Sequence, residues 1–81
     1  MKVSDLKVGL YVIERLNSKN SDIYKVVVLT PELISFENQY TNELITHSKV
    51  DLERIFEVTS ATHYLAETET ELLLLKLKLD L

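Results

Sequence analysis

The chain has 81 residues, nine Lys/Arg and thirteen Asp/Glu side chains, a net charge of −4 and no cysteine. This length supports one small core, because separate cores need roughly 50 residues each. The lack of cysteine excludes disulfides and thiolate-bound zinc. An acidic chain without a Lys/Arg cluster is a poor match for nucleic acid, whose binding depends on neutralised phosphates. The apolar content of 46% excludes a disordered chain.

We expect neither a targeting segment nor a membrane segment in this chain. Its first residues, MKVSDLKVG, have neither the apolar core of a secretory signal nor the Arg/Ser bias of a transit peptide. The leucine-rich end is interrupted by Lys76, Lys78 and Asp80, and it is shorter than the roughly 20 apolar residues that cross a bilayer. We therefore expect a cytoplasmic protein with no membrane contact.

From Leu10 onward, short runs of strand-forming residues alternate with polar turns. The predicted strands are LYVIERL, IYKVVVL, LISFE, ELIT and RIFEV, at residues 10–16, 23–29, 33–37, 43–46 and 54–58. The turns between the first four are NSKNSD, TPE and NQYTN. This spacing predicts a mainly β domain, a small barrel or sandwich. Gly9, the only glycine, is expected to have positive φ at the start of the first strand.

The order of these pieces resembles an SH3-like small barrel over about residues 3–58. SDLKVGLYV resembles the start of its first strand, NSKNSD its long first loop, and residues 50–53 the short helical turn before its last strand. The resemblance implies a five-stranded barrel domain at 1–58, followed by a C-terminal helix at 59–81. Proline-rich peptide binding is not implied, because that mode needs a tryptophan that this chain lacks. The predicted core is Leu6, Leu10, Val12, Val26, Val28, Ile34, Phe36, Leu44 and Ile55.

The chain ends on ELLLLKLKLDL, which carries more leucine than one narrow seam needs. A helix beginning near Ser60 would align Ala61, Leu65, Thr68, Leu72, Leu75 and Leu79 at heptad spacing. A strand is the alternative, since every second residue from Leu73 to Leu81 is leucine, but leucine favours the helix. Leu74, Leu77 and Leu81 would form a second row. We therefore expect a coiled-coil-like homo-oligomerisation helix, with Leu65, Leu72, Leu75 and Leu79 at the interface.

The sequence shows no catalytic equipment. His47 and His63 are expected to be solvated, because neither has an orienting partner or a nucleophile beside it in the sequence. The clustered carboxylates at 51–53 and 67–71 are expected to be surface groups. There is no phosphate-binding loop, nucleophile elbow or calcium loop. We expect no enzyme, no catalytic residue, no metal site and no cofactor.

Five aromatic side chains fall on the predicted barrel: Tyr11, Tyr24, Phe36, Tyr40 and Phe56. Phe36 and Phe56 are the expected core members. Tyr40 lies in a polar turn and is expected to be exposed, which suits a protein interface. We expect a protein partner to bind Tyr40 together with Glu37 and Glu43. A cation-holding aromatic cage of the kind found in tudor-like relatives of this barrel is an open alternative.

These features together predict a non-enzymatic, oligomeric interaction module. Its acidic, Asn/Lys/Ser/Glu-rich composition resembles that of small phage or mobile-element accessory proteins, which implies an adaptor or inhibitor that binds a host protein. One alternative is a nucleic-acid-binding barrel with a basic face built from Lys2, Lys7, Arg15, Lys19 and Lys25. Another is a small-ligand-binding protein with its pocket at a subunit interface.

Overall fold

The computed structural model describes residues 1–81 as one antiparallel sheet with two helices. The elements in chain order are a short 3-10 helix (Val3–Asp5), β1 (Tyr11–Arg15), β2 (Ser21–Leu29), β3 (Leu33–Asn38), β4 (Leu44–Ser48), α1 (Lys49–Val58), β5 (Thr62–Ala66) and α2 (Glu69–Lys78). The strand order is β4-β3-β2-β1-β5, a four-stranded meander to which β5 is added beside β1. The sheet is not closed, because β4 and β5 remain its edges. The predicted mainly β class is confirmed.

The last predicted strand, at 54–58, is wrong, because these residues belong to α1. Ser48 caps this helix: its Oγ accepts a hydrogen bond from the Asp51 backbone N–H at 3.1 Å. Leu52 and Phe56, four residues apart and therefore on one helical face, pack into the core. The predicted helical turn at 50–53 is thus the first part of a ten-residue helix.

The fifth strand lies farther along the chain, where a helix was predicted. Thr62 and Tyr64 favour strand, and the segment pairs with β1 so that Tyr64 stands opposite Ile13. The predicted N-cap at Ser60 is therefore wrong. The final helix begins at Glu69, and the Thr68 hydroxyl accepts the Glu71 N–H at 3.1 Å. Residues 59–81 consequently supply both an edge strand and a helix to the same sheet.

The main core lies between the inner face of the sheet and α1. It consists of Val3, Leu6, Leu10, Val12, Val26, Ile34, Phe36 and Leu52. Six predicted core residues are buried there, but Val28, Leu44 and Ile55 are exposed, by 47%, 66% and 39%. A register shift between Val26 and Val28 explains the first error, since it turns Val28 to the outer face against the expected alternation. Leu44 also faces outward, opposite Glu37.

A second apolar layer lies on the outer face, where α2 packs against β5 and contacts both ends of β1. The Tyr11 hydroxyl lies 3.5 Å from Glu69 Oε1 in the first turn of α2, and Arg15 Nη1 donates to the Leu79 carbonyl at its end, at 2.9 Å. Ile13, midway between these contacts, is 0% exposed, and its partner Ile23 is also buried. The C-terminal helix thus covers part of its own sheet.

The backbone at Gly9 has φ +90°, which confirms the positive φ predicted there. This conformation is rarely adopted by residues with a Cβ. The Gly9 N–H donates to the Val26 carbonyl at 2.8 Å, so the turn fixes the chain before β1. No helix of the structure has the length and apolarity needed to cross a membrane.

Candidate functional site

A pocket of about 170 Å³ lies between α1 and the inner face of the sheet. All five strands contribute to its wall. Its lining residues from the sheet are Val12, Glu14, Tyr24, Phe36, Ile45, His47 and His63, and those from elsewhere are Met1, Leu52, Ile55 and Phe56. Met1 and Ile55 are exposed by 37% and 39%, so the pocket reaches the surface beside them. It is an intrachain cavity, whereas the sequence suggested a ligand pocket between subunits.

Glu14 and His63 form the polar wall of this pocket. They stand directly opposite each other in the β1–β5 ladder and therefore face the same side of the sheet. His63 Nε2 lies 3.2 Å from Glu14 Oε2, and the two side chains are 7% and 32% exposed. The expectation that His63 is solvated is wrong, because the ladder places it under α1.

The aromatic rings form two groups around the pocket. On the sheet, Phe36 meets Tyr24 edge-to-face at 6.1 Å and His47 at 6.3 Å between ring centroids. On the opposite side, Phe56 of α1 meets His63 at 5.2 Å, again edge-to-face. Of the five aromatic residues noted in the sequence, Tyr24, Phe36 and Phe56 therefore share one cavity, while Tyr11 lies on the outer face and Tyr40 in a turn.

Burial raises the pKa of the Tyr24 phenol above its usual value near 10. The negative charges of Asp22 and Glu14 act in the same direction, and a hydrogen bond with Asn38 opposes them. The physical reason is that a phenolate would lose hydration and lie close to two carboxylates. Tyr24 therefore presents a neutral hydroxyl and an uncharged ring at physiological pH.

His47 and His63, the only histidines in the chain, both line this pocket. Sixteen positions separate them, and they lie on the two edge strands β4 and β5. The chain passes through α1 between these two strands, and this connection brings the two histidines to one pocket. Their proximity could not be predicted from local sequence periodicity. No group of three His, Asp or Glu side chains is arranged to hold a metal ion, so His47, His63 and Glu14 do not form a metal site in this pocket.

The second candidate surface is the outer row of α2, which we define as Leu73, Leu74 and Leu77. These side chains are exposed by 59%, 61% and 77%. The predicted interface leucines Leu72, Leu75 and Leu79 are instead half-buried, on the side of α2 that meets the sheet. Leu65, the fourth predicted member, lies in β5 and is 38% exposed.

The three residues predicted to bind a partner all lie in the β3–β4 hairpin. Glu37 is half-buried on β3, and Glu43 and Tyr40 are exposed in the turn, Tyr40 by 56%. The turn is held by buried Asn38, whose Oδ1 accepts the Tyr40 N–H at 2.8 Å. The exposed position predicted for Tyr40 is confirmed.

The cations of the proposed basic face are largely engaged within the chain. Lys7 Nζ contacts Glu67 Oε1 at 2.7 Å, Arg15 binds the end of α2, and Lys25 Nζ lies 5.4 Å from the Tyr11 ring centroid. These contacts leave Lys2 and Lys19 as the remaining members. Three of the five cations of this face therefore have partners within the chain.

Searches against protein-family models, curated proteins and solved structures give no match to this chain.

Proposed function

We propose that this protein is a non-enzymatic interaction module that self-associates through the outer row of α2. The observation that carries the proposal is the exposure of Leu73, Leu74 and Leu77 on a helix whose opposite side is already covered by the sheet. Contiguous exposed apolar side chains mark interaction surfaces in folded proteins. For the domain that carries α2 we propose an SH3-like fold. The pairing of the last strand, β5, with the first strand, β1, supports this assignment.

The charges beside the outer row favour a second copy of the chain in antiparallel orientation. At 3.6 residues per turn, Glu71 and Lys78 border one side of the row, and Glu69 and Lys76 border the other. The acidic residues lie in the first turn and the basic residues in the last. An antiparallel pair about a two-fold axis near Leu74 therefore places Glu beside Lys on both sides, whereas a parallel pair places like charges together.

The expected association is weak. Burying the exposed parts of six leucines, three from each chain, contributes about 6–12 kcal/mol. Loss of translational and rotational freedom opposes this with about 4–15 kcal/mol. The exposed Glu–Lys pairs add only about 0.2–1 kcal/mol each. The favourable ends of these two ranges correspond to a Kd on the order of 1 μM, so the dimer forms as the local concentration of the protein rises.

Sedimentation equilibrium over a concentration series tests the proposal. The wild type should show a monomer–dimer equilibrium, and a variant with Leu73, Leu74 and Leu77 all replaced by Ser should remain monomeric with an unchanged far-ultraviolet circular dichroism spectrum. A wild-type protein that stays monomeric at high micromolar concentration refutes self-association through α2.

The orientation has its own test. Lys78→Glu should weaken the homodimer, because Glu71 of one chain would then meet a carboxylate of the other. Mixing this variant with Glu71→Lys should restore association, as each chain again meets an opposite charge. If Lys78→Glu leaves the dimer unaffected while the leucine variant abolishes it, the antiparallel arrangement is wrong and the leucine surface stands.

The β3–β4 hairpin is the surface at which we propose that a protein partner binds. Tyr40 offers a flat ring with a polar tip, flanked in the same hairpin by Glu37 and Glu43. Tyrosine is enriched at protein interfaces for this reason. Modulation of a host protein by a phage or mobile-element accessory factor fits such a module.

A further inference from the structure

The pocket under α1 carries polar and aromatic groups that core packing does not require. Glu14 places a carboxylate in a cavity whose lining is mostly apolar, and this carboxylate is still 32% exposed. A buried or half-buried charge is costly unless it is paired. His63 Nε2 lies within hydrogen-bond distance of Glu14 Oε2, and no lysine or arginine side chain lines the cavity.

The ring arrangement is complementary to a positive charge. Tyr24 and Phe36 meet at 67° between ring planes on the sheet, and Phe56 of α1 forms part of the wall that includes His63. Rings from the sheet and from α1, each set at a steep angle to its neighbouring ring, therefore line one space. The face of an aromatic ring is negative, so a desolvated cation among such rings is stabilised.

The size of the space limits the guest to one small group. A cavity of about 150 Å³ is enough to admit benzene in another protein, and the present pocket has about 170 Å³. Met1 and Ile55 at the surface provide the way in. A methionine side chain adjusts easily to a guest because it is unbranched and has three rotatable bonds.

We propose that this pocket binds a small organic cation, an alkylated ammonium group held by the rings of Tyr24, Phe36 and Phe56 and by the Glu14 carboxylate. The assignment follows from the single carboxylate, the aromatic walls and the absence of lysine and arginine from the lining. It is independent of the α2 surface, which lies on the other face of the sheet. Glu14 supplies the charge preference, and the rings supply the shape.

Nuclear magnetic resonance titration with choline provides the test, and dimethylbutanol, its uncharged carbon isostere, provides the matched ligand. At constant ionic strength, choline should shift the signals of pocket residues such as Ile45 and Ile55 in a saturable manner. Dimethylbutanol should bind at least about tenfold more weakly, a difference of about 1.4 kcal/mol. Equal affinity for the two ligands overturns the proposal, as does the lack of saturable choline shifts in the pocket.

Two variants assign the roles, with one control. Glu14→Gln should reduce choline affinity about tenfold and leave dimethylbutanol binding nearly unchanged. Glu32→Gln removes the same charge from an exposed turn outside the pocket and should leave choline affinity unchanged. Phe56→Leu keeps the position apolar but removes the ring, and it should weaken choline more than dimethylbutanol. An equal loss of choline affinity in Glu14→Gln and Glu32→Gln overturns the role of Glu14.

Discussion

Replacing Ile13 with alanine should measure how strongly α2 and the sheet stabilise each other. Ile13 is 0% exposed and lies on the outer face of β1, between the contacts of Tyr11 and Arg15 with the two ends of α2. The substitution removes three carbon atoms from a fully buried site. Loss of transfer free energy and the remaining cavity should together cost about 2–5 kcal/mol.

This cost is a large share of the stability expected for the domain. A chain of this length has a free energy of unfolding of about 4–12 kcal/mol, and each kcal/mol corresponds to a shift of about 4–8 °C in Tm. Urea unfolding followed by far-ultraviolet circular dichroism should therefore show a clearly lower midpoint, with α2 and the sheet melting together. The measurement should be made at low protein concentration, so that dimerisation does not contribute.

Leu74→Ala supplies the control for the Ile13 experiment. Leu74 belongs to the outer row and is 61% exposed, so within the monomer its loss should change stability by no more than about 0.5 kcal/mol. If Ile13→Ala unfolds at the wild-type midpoint, or if both variants are destabilised equally, α2 does not cover β1 in solution.

Two further outcomes are expected. Because the pKa of Tyr24 is raised in the folded protein, its contribution to stability is complete below the unfolded pKa of about 10 and is lost as pH rises through the folded value. Urea unfolding in alkaline buffers should therefore show a steeper loss of unfolding free energy with pH for wild type than for Tyr24→Phe, and parallel curves would contradict this. Substituting Tyr40, Glu37 and Glu43 together should weaken binding of a partner captured by affinity pull-down while Tm changes by only a few degrees; unchanged binding would place the partner site elsewhere.

The meander of the first four strands could be predicted from local patterns. Polar turns such as 17–20 and 30–32 interrupt runs of β-branched residues, and the structure places β1 to β4 around them. Asn17 accepts the N–H groups of Lys19 and Asn20 at 2.8 and 3.0 Å, which is the local bonding that makes asparagine a turn former. Such information lies within a few residues and is therefore visible in one sequence.

The second half of the chain was harder to predict because its periodicities are ambiguous. RIFEV alternates like a strand, yet Leu52, Ile55 and Phe56 also have helical spacing, and the Ser48 cap with Asp51 at the third position marks the start of a helix. The heptad spacing from Ala61 predicted a helix, although Thr62 and Tyr64 within that segment favour strand. Tertiary pairing with β1 decided between the two.

The pocket could not be predicted from the sequence, because it depends on contacts between distant residues. Glu14 and His63 are 49 positions apart and meet only through the β1–β5 register. A one-residue slip in that ladder would turn His63 to the opposite face of the sheet. Both residues are plain in the sequence, but their contact depends on the position of β5. That strand was predicted incorrectly, as part of a helix.

The leucine excess at the C-terminus follows from the two sides of one helix having different neighbours. The sheet offers α2 a single covered face, and Leu72, Leu75 and Leu79 lie half-buried there. A ten-residue helix is too short to be stable alone in water, so this face holds the helix in place before any partner arrives. The outer row therefore lies on a helix that is already ordered. Association does not include the entropy cost of folding this helix. Two leucine rows on one helix thus separate the stability of the fold from the affinity of the proposed contact, and the Ile13 and Leu74 substitutions act on these two properties separately.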